Sequence, residues 1–596
     1  MKKNISIILG LLIAISMLLV ACQPQVEKVV ETVVVTQEVV KEGQTVVETV
    51  IVTQEVEKVV TPEPEAKAPV LRVNLGTYPD IIDPQKSSFV NEIAHLMLMY
   101  EGLTRLNADL ETVPGAAESW EYNADATQLT FKLRPDLKYS DGSFLNAKRF
   151  EYSILRNIDP TTAGEYAQIT DEIKGANAWR TSAEDADREA LKAAVGVRAL
   201  DSAGNPCTDY EQADCLTLQV DLEKPAPYFH TVLSLWVTYP AKEELIAEGG
   251  ENWWNSSKYQ IGNGPFQLKS LEPFVRGYFV PNPYYWGGQA SYDLEYSYIT
   301  DSAVAFEAYK NNEFDIIGLA SEDLATVQAD PVLSQEANIY AGSCTFAIMF
   351  HQLKEPFNDQ KVREAFAMAF DRESWVSDVL KGLGSPTLTW IPPGFPGYQE
   401  GETRWGFDPE AAKQALAEST YGSVENLPPI ELTFSDTPRN RTRYEWLAAK
   451  WKEVLGVDVT LNPVESTTYT ALTKDINTAP LAYILGWCAD YPDPQNWLSV
   501  YWKTGAFGER IGYSNPEFDA IVDEADSTTD PAKRMELYAK AQDLLIAGCP
   551  VAFAWNNVNS YLVKPWVKGV NRTPMDAGWI GIYDPLSIQI DEAAKP

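Results

Sequence analysis

The segment LAYILGWCADYPDPQNWL (481–498) places a carboxylate at the end of an apolar run. Leu481 to Trp487 reads as a buried strand, and Cys488, Ala489 and Asp490 follow it. Tyr491-Pro492-Asp493-Pro494 then ends any ladder, because proline has no N–H to pair. An aspartate at that point has two possible uses. It can cap the turn, as Asp commonly does, or it can face a cleft and wait for a positive charge. Trp487 has two as well, as the wall of a side-chain pocket or as an anchor in the core beneath the strand. Asp493, between prolines, reads as a turn residue.

Other chemistry is sparse. The sequence has no G-x-S-x-G elbow and no H-E-x-x-H pair. His95, His230 and His351 share no ligand spacing and read as structural. No catalytic residue, metal or cofactor is therefore expected. A carboxylate-based glycosidase needs two acids facing across a cleft; it stays as the enzymatic alternative, because a sequence alone does not exclude such a pair. Arg439, Arg441 and Arg443 (TPRNRTR) could partner a ligand carboxylate, or could be the solvated start of a helix.

The elements that must position these residues belong to a large acidic chain. With 596 residues it exceeds one core, so roughly two to four domains are expected. The 84 acidic and 48 basic residues give a net charge of −36, which repels phosphate backbones and argues against nucleic acid. Lys2-Lys3 precede an apolar run, Ile5 to Val20, that is shorter than the ~20 residues needed to span a bilayer. That layout is an export signal. Its Leu19-Val20-Ala21-Cys22 ending resembles a lipobox, which implies cleavage before Cys22 and acylation there. A repeat follows, VVETVVVTQEV (29–39) and VVETVIVTQEV (46–56). Its alternating valines could pair as strands, but residues 23–69 read best as a spacer without one conformation. Cys207 and Cys215 flank a short acidic loop and are expected to close it in an oxidising compartment. Spacing does not choose a pair among Cys344, Cys488 and Cys549.

Strands and helices alternate along the rest. LRVNLG (71–76) and VAFAWNNV (551–558) read as strands, and residues 119–143 as a hairpin. Asp359 should cap a helix over KVREAFAMAFDRESWVSDVL; Asp530 and Pro531 should open another that closes at Gly548. The class is mixed α/β with several domains.

Seven segments then occur in order: DIIDPQKSSFVNEIAHLMLMYEGL, YSDGSFLNAKRFEYSILRNIDPTTAGEYA, IGNGPFQL, PNPYYWGG, PFNDQKVREAFAMAFDRE, GWCADYPDPQNWL and VKPWVKG. Together they closely resemble the oligopeptide- and dipeptide-binding proteins of ABC transporters, the large extracytoplasmic solute-binding family (family 5), from about residue 70 onward. The resemblance implies a two-lobed periplasmic-binding-protein-like fold with a hinge. The first lobe would be 70–100, 241–343 and 558–596, with an inserted subdomain at 101–240; the second lobe would be 344–557. It implies a monomer that hands a peptide ligand to permease subunits and is held on the membrane through a lipid anchor. By the same resemblance Asp490 takes the peptide ammonium, and the backbone of Gly486, Trp487 and Cys488 pairs with the peptide. The loop around Ser88 and Val90 serves from the other lobe, and Tyr166 from the inserted subdomain. An arginine in the region of Arg439 takes a carboxylate in dipeptide binders. Cys344 and Cys488 match a paired position, which leaves Cys549 single. Two family positions differ: Ser466 stands for a pocket tryptophan and Ile484 for a basic residue. Members of the family also carry oligosaccharides and nickel complexes, which are the alternative ligands on the same fold.

Overall fold

The computed structural model describes residues 26–41, 44–59 and 68–596. The export signal, Cys22 and both ends of the spacer lie outside these residues. Within the spacer the structure differs from the sequence reading. Val26–Lys41 and Gln44–Val59 pair antiparallel, from Val26↔Val59 to Lys41↔Gln44. Alternating Val and Thr suit a pleated ladder, and the repeat supplies its own complementary strand.

Pro69–Pro596 forms one compact unit. Its main sheet uses β1 (Val70–Asn74), β2 (Phe266–Glu272), β3 (Arg276–Pro281), β4 (Asp293–Ser297), β5 (Ile316–Gly318), β6 (Ala337–Phe350), β7 (Ile430–Ser435), β8 (Val459–Val464), β9 (Ala482–Cys488) and β10 (Val551–Val563). The spatial order is β2-β3-β4-β1-β5-β10-β6-β9-β7-β8, with Ser385–Pro386 paired to β10. A separate four-stranded sheet, Ala117–Tyr122, Gln128–Leu133, Thr217–Asp221 and Val197–Leu200, lies within the segment assigned to the insert. Four helices bear on the site: α1 (Val90–Met99), α2 (Pro438–Leu455), α3 (Ser466–Leu472) and α4 (Pro494–Trp497).

Alternation along the strands builds two cores on opposite faces of one sheet. Phe350, Ala482, Ala552 and Ala554 pack with Phe366 and Trp451. Their chain neighbours Met349, Tyr483, Val551 and Phe553 pack with Trp497 and Trp502. The other large core joins Leu71, Phe131, Phe150 and Trp579. Side chains cross between them: Leu106 and Leu110 enter the Trp497 cluster, and Tyr491 enters the Leu71 cluster.

Only two long strands, β6 and β10, serve both halves of the sheet, and their ladder is irregular in the middle. Register runs Ala341↔Val558 and then Thr345↔Asn556, so the bulge falls on residues 342–344. The expected helix caps are present: Asp359 accepts from the Lys361 N–H and Asp530 from the Lys533 N–H. No helix among the described residues is long and apolar enough to cross a membrane.

Asp315 ties the first and last parts of the folded unit together. Fully buried, it accepts from the Arg72 N–H (2.8 Å), Arg72 Nη2 (2.8 Å) and Trp566 Nε1 (2.7 Å). Removing one partner of such a group leaves the others unsatisfied. Asp315→Ala should lower stability by about 3 kcal/mol, read as a reduced urea midpoint with unchanged slope.

Candidate functional site

β9 has a paired edge and a largely free one. It pairs along its whole length with β6, Cys344↔Cys488 to Phe350↔Ala482, and meets β7 only at Leu432↔Ala482. The Ile484 N–H donates to the Tyr444 hydroxyl at 2.7 Å, and its carbonyl accepts from the Tyr469 hydroxyl at 2.8 Å. Both groups therefore point away from β6. By alternation the N–H and C=O of Gly486 and Cys488 point the same way, and no described residue bonds to them there. Trp487 turns its own groups to β6, as does Ala489, whose N–H donates to the Ser343 carbonyl at 2.9 Å. Of the three backbones expected to pair with a ligand, those of Gly486 and Cys488 face the open edge and that of Trp487 faces β6. Gly486 has to be glycine: a Cβ would come within 2.6 Å of the Phe346 ring, itself stacked on Trp555 at 4.7 Å.

Asp490 begins where β9 stops. Asn496, on α4, clamps it twice: Oδ1 accepts from the Asp490 N–H at 3.1 Å, and Nδ2 donates to Asp490 Oδ2 at 3.0 Å. The same Asn496 Oδ1 accepts from Trp487 Nε1 at 3.1 Å. α4 is fixed in turn by Asp493, which caps it through the Gln495 N–H and binds Arg534 with both oxygens at 2.7 Å. The Tyr166 hydroxyl is turned to the Asp490 carboxylate and favours its charge, short of a well-formed hydrogen bond. Burial wins over both partners and pushes the Asp490 carboxyl up to about 6. Among the described residues no Lys, Arg or His forms an ion pair with it. Its surroundings include a cavity of about 220 Å³ shared with Glu101, Arg105, Trp236, Tyr239 and Tyr583.

The other expected residues fall into two groups. Tyr166 stacks on Trp236 at 5.4 Å, Trp236 Nε1 donates to the Ser87 carbonyl at 2.7 Å, and the Ser88 hydroxyl donates to Glu165 at 2.5 Å. Ser88, Tyr166 and Asp490 are thus brought together. The Ser88 N–H, however, is already committed to Glu92 at 2.9 Å, and Val90 is exposed at the start of α1. The half-buried Trp487 ring lies against Tyr501 and Phe507. Arg439 lies elsewhere. It lines a cleft of about 1040 Å³ with Glu322, Lys381 and Arg443, is exposed, and sits 3.8 Å from Glu322. Arg443, with its guanidinium over the Trp555 ring, is linked through Trp555 and Phe346 to Gly486. Ser466 opens α3, and its side chain lies outside the described residues.

Disulfides join Cys344 to Cys488 and Cys207 to Cys215, while Cys549 is free and buried. Sequence reasoning did not find Asn496, Tyr444 or Tyr469. Asn496 had one signal, its place two residues after the proline that closes the turn, Pro494. The two tyrosines had none.

Residues 111–509 match the family model for bacterial extracellular solute-binding proteins, family 5 middle. The chain belongs to this family. It is 29% identical over 513 residues to the periplasmic oligopeptide-binding protein OppA of Escherichia coli K12, covering 84% of this chain and 90% of that one. It is 28% identical over 515 residues to the probable deoxycholate-binding periplasmic protein YgiS of the same organism, covering 85% and 91%. The fold matches the E. coli murein tripeptide-binding protein MppA with a TM-score of 0.70 at 24% identity, covering 88% and 99%. Family 5 proteins bind solutes for transport and are not enzymes, so the glycosidase alternative is set aside.

The raised carboxyl has a signed consequence. Asp490 titrates near 6 when folded and near 3.8 otherwise. The folded state holds this proton more tightly, so this group's contribution to stability falls as pH rises through that window. Without ligand, Asp490→Asn should be more stable than wild type by about 1–2 kcal/mol at about pH 7.5, a gap that closes near pH 4. Asp526 and Asp576, also raised by burial, stay in both proteins and cancel. Thermal unfolding of the pair at the two pH values checks this; an equal gap at both would mean the carboxylate is not strained.

Proposed function

We propose that the chain is the extracytoplasmic receptor of an ABC importer and captures oligopeptides in the cleft faced by Asp490. The observation that carries this reading is a half-buried carboxylate with no cation partner among the described residues, next to a strand edge whose ladder groups no described residue bonds. A peptide with a free amino terminus answers both. Its ammonium gives Asp490 a charge-assisted hydrogen bond, and its backbone pairs with Gly486 and Cys488 whatever its side chains are. Tyr166 closes over the pair from the insert, and the loop around Ser88 and Val90 adds contacts from the first lobe. A peptide carboxylate has Arg443 and then Arg439 within the neighbouring cleft.

The lobes are taken as 70–100, 241–343 and 558–596 against 344–557, with 101–240 inserted. The hinge is the bulge at residues 342–344, where the two shared strands already break register. Export, acylation at Cys22 and a spacer ending near residue 69 would hold this monomer at the membrane, where it passes the peptide to permease subunits.

Calorimetry with trialanine and N-acetyl-trialanine tests the reading. Wild type should bind the free peptide at least about 30-fold more tightly, and Asp490→Asn should lose that discrimination, costing about 2–3 kcal/mol for the free peptide. Wild-type affinity should fall about tenfold per pH unit below about 6, as Asp490 takes up its proton. Equal binding of the two peptides by wild type would rule out the ammonium role. An oligosaccharide or nickel-complex carrier would bind neither.

A further inference from the structure

The free edge of β9 is short, and two tyrosines make it so. β7 leaves β9 after the single pair Leu432↔Ala482, which would expose the ladder groups of Ile484 along with those of Gly486 and Cys488. Ile484 is not exposed in that sense. Tyr444 on α2, buried and stacked on Phe434 of β7 at 4.3 Å, accepts its N–H. Tyr469 on α3 donates to its carbonyl. The hydroxyls occupy both positions that a paired strand would use.

We infer that Tyr444 and Tyr469 act as a length stop, limiting the bound peptide to two ladder rungs on β9. The inference rests on the peptide reading above. With its ammonium on Asp490, the peptide runs back along β9 and is antiparallel to it, so ladder pairs recur at every second residue. Residue one of the ligand lies opposite Cys488, residue three opposite Gly486, and residue five opposite Ile484. The third rung is already filled. Residues beyond the third gain no backbone bond from β9 and have to leave the sheet edge, toward the cleft lined by Arg443.

The stop predicts a pattern across peptide lengths that simple burial does not. Calorimetry with di-, tri- and pentaalanine should show the dipeptide at least about fivefold weaker than the tripeptide, and the pentapeptide within about threefold of it. The double substitution Tyr444→Phe and Tyr469→Phe unblocks Ile484. It should shift the ratio of pentapeptide to tripeptide affinity at least about fivefold in favour of the longer ligand. Amide hydrogen exchange on wild type gives a readout independent of the variant's folding. The Gly486 and Cys488 amides should become protected on adding either peptide, while the Ile484 amide should be protected beforehand and unchanged afterwards. New protection at Ile484 with pentaalanine, or affinity that climbs more than about tenfold from three residues to five, overturns the stop and leaves the peptide reading standing. Failure of every free peptide to bind overturns both.

Discussion

A half-buried carboxylate with no cation partner among the described residues is the constraint around which this cleft is arranged. Such a group is costly unless other polar atoms surround it, and the chain surrounds Asp490 with care. Asn496 gives it an amide donor and takes its N–H, so that one side chain fixes both the charge and the turn beneath it. The cation bonded to this turn, Arg534, is engaged on both oxygens of Asp493 and so is not free for Asp490. The arrangement leaves the carboxyl near 6, ionised at neutral pH yet strained by burial. A group in that condition gains from a ligand cation more than an exposed aspartate would, because the ligand removes a penalty already present.

The same logic links the site to closure. Tyr166 reaches Asp490 from the segment assigned to the insert, and Tyr491, the residue after Asp490, is buried in the opposite core. Two ion pairs join the segments assigned to different lobes among the described residues, Lys224 with Asp523 at 3.9 Å and Arg439 with Glu322 at 3.8 Å; both are largely exposed, and pairs of that kind contribute little. Apolar contacts between the halves are made by Tyr491 on one side and by Leu106 and Leu110 on the other.

Much of this was legible in the sequence, and the limits have physical reasons. The strand, read to Trp487 and observed to Cys488, the caps Asp359 and Asp530, and the mixed α/β class follow from local periodicity and turn chemistry, which act over a few residues. Asp490 stood out for the same reason, as a charge at the end of an apolar strand beside two prolines. What the sequence did not reveal depends on register. Whether Trp487 or its neighbours face the free edge turns on a parity set by β6, a strand some 140 residues earlier in the chain (Cys344 pairs with Cys488 across 144 positions). Tyr444 and Tyr469 act through their hydroxyls on the Ile484 backbone from outside its strand, and no spacing rule marks them. Arg439 looked like a partner for a ligand carboxylate by its place in the chain, yet it is the half-buried Arg443 that communicates with β9.

Family membership alone does not choose the ligand, since relatives of nearly equal identity are named for oligopeptides and for deoxycholate. Nor does the net charge of −36, because at physiological salt an exposed charge is felt over only about 8 Å. Selection has to be local. A neutral solute would leave Asp490 buried and unpaired, and an anionic one would make its position worse, so neither could close the cleft over it without loss. A simple amine would satisfy the charge but leave the Gly486 and Cys488 ladder groups dry and unbonded, which is costly for buried backbone. An extended chain that begins with an ammonium and carries a donor and an acceptor at alternate residues leaves neither deficit.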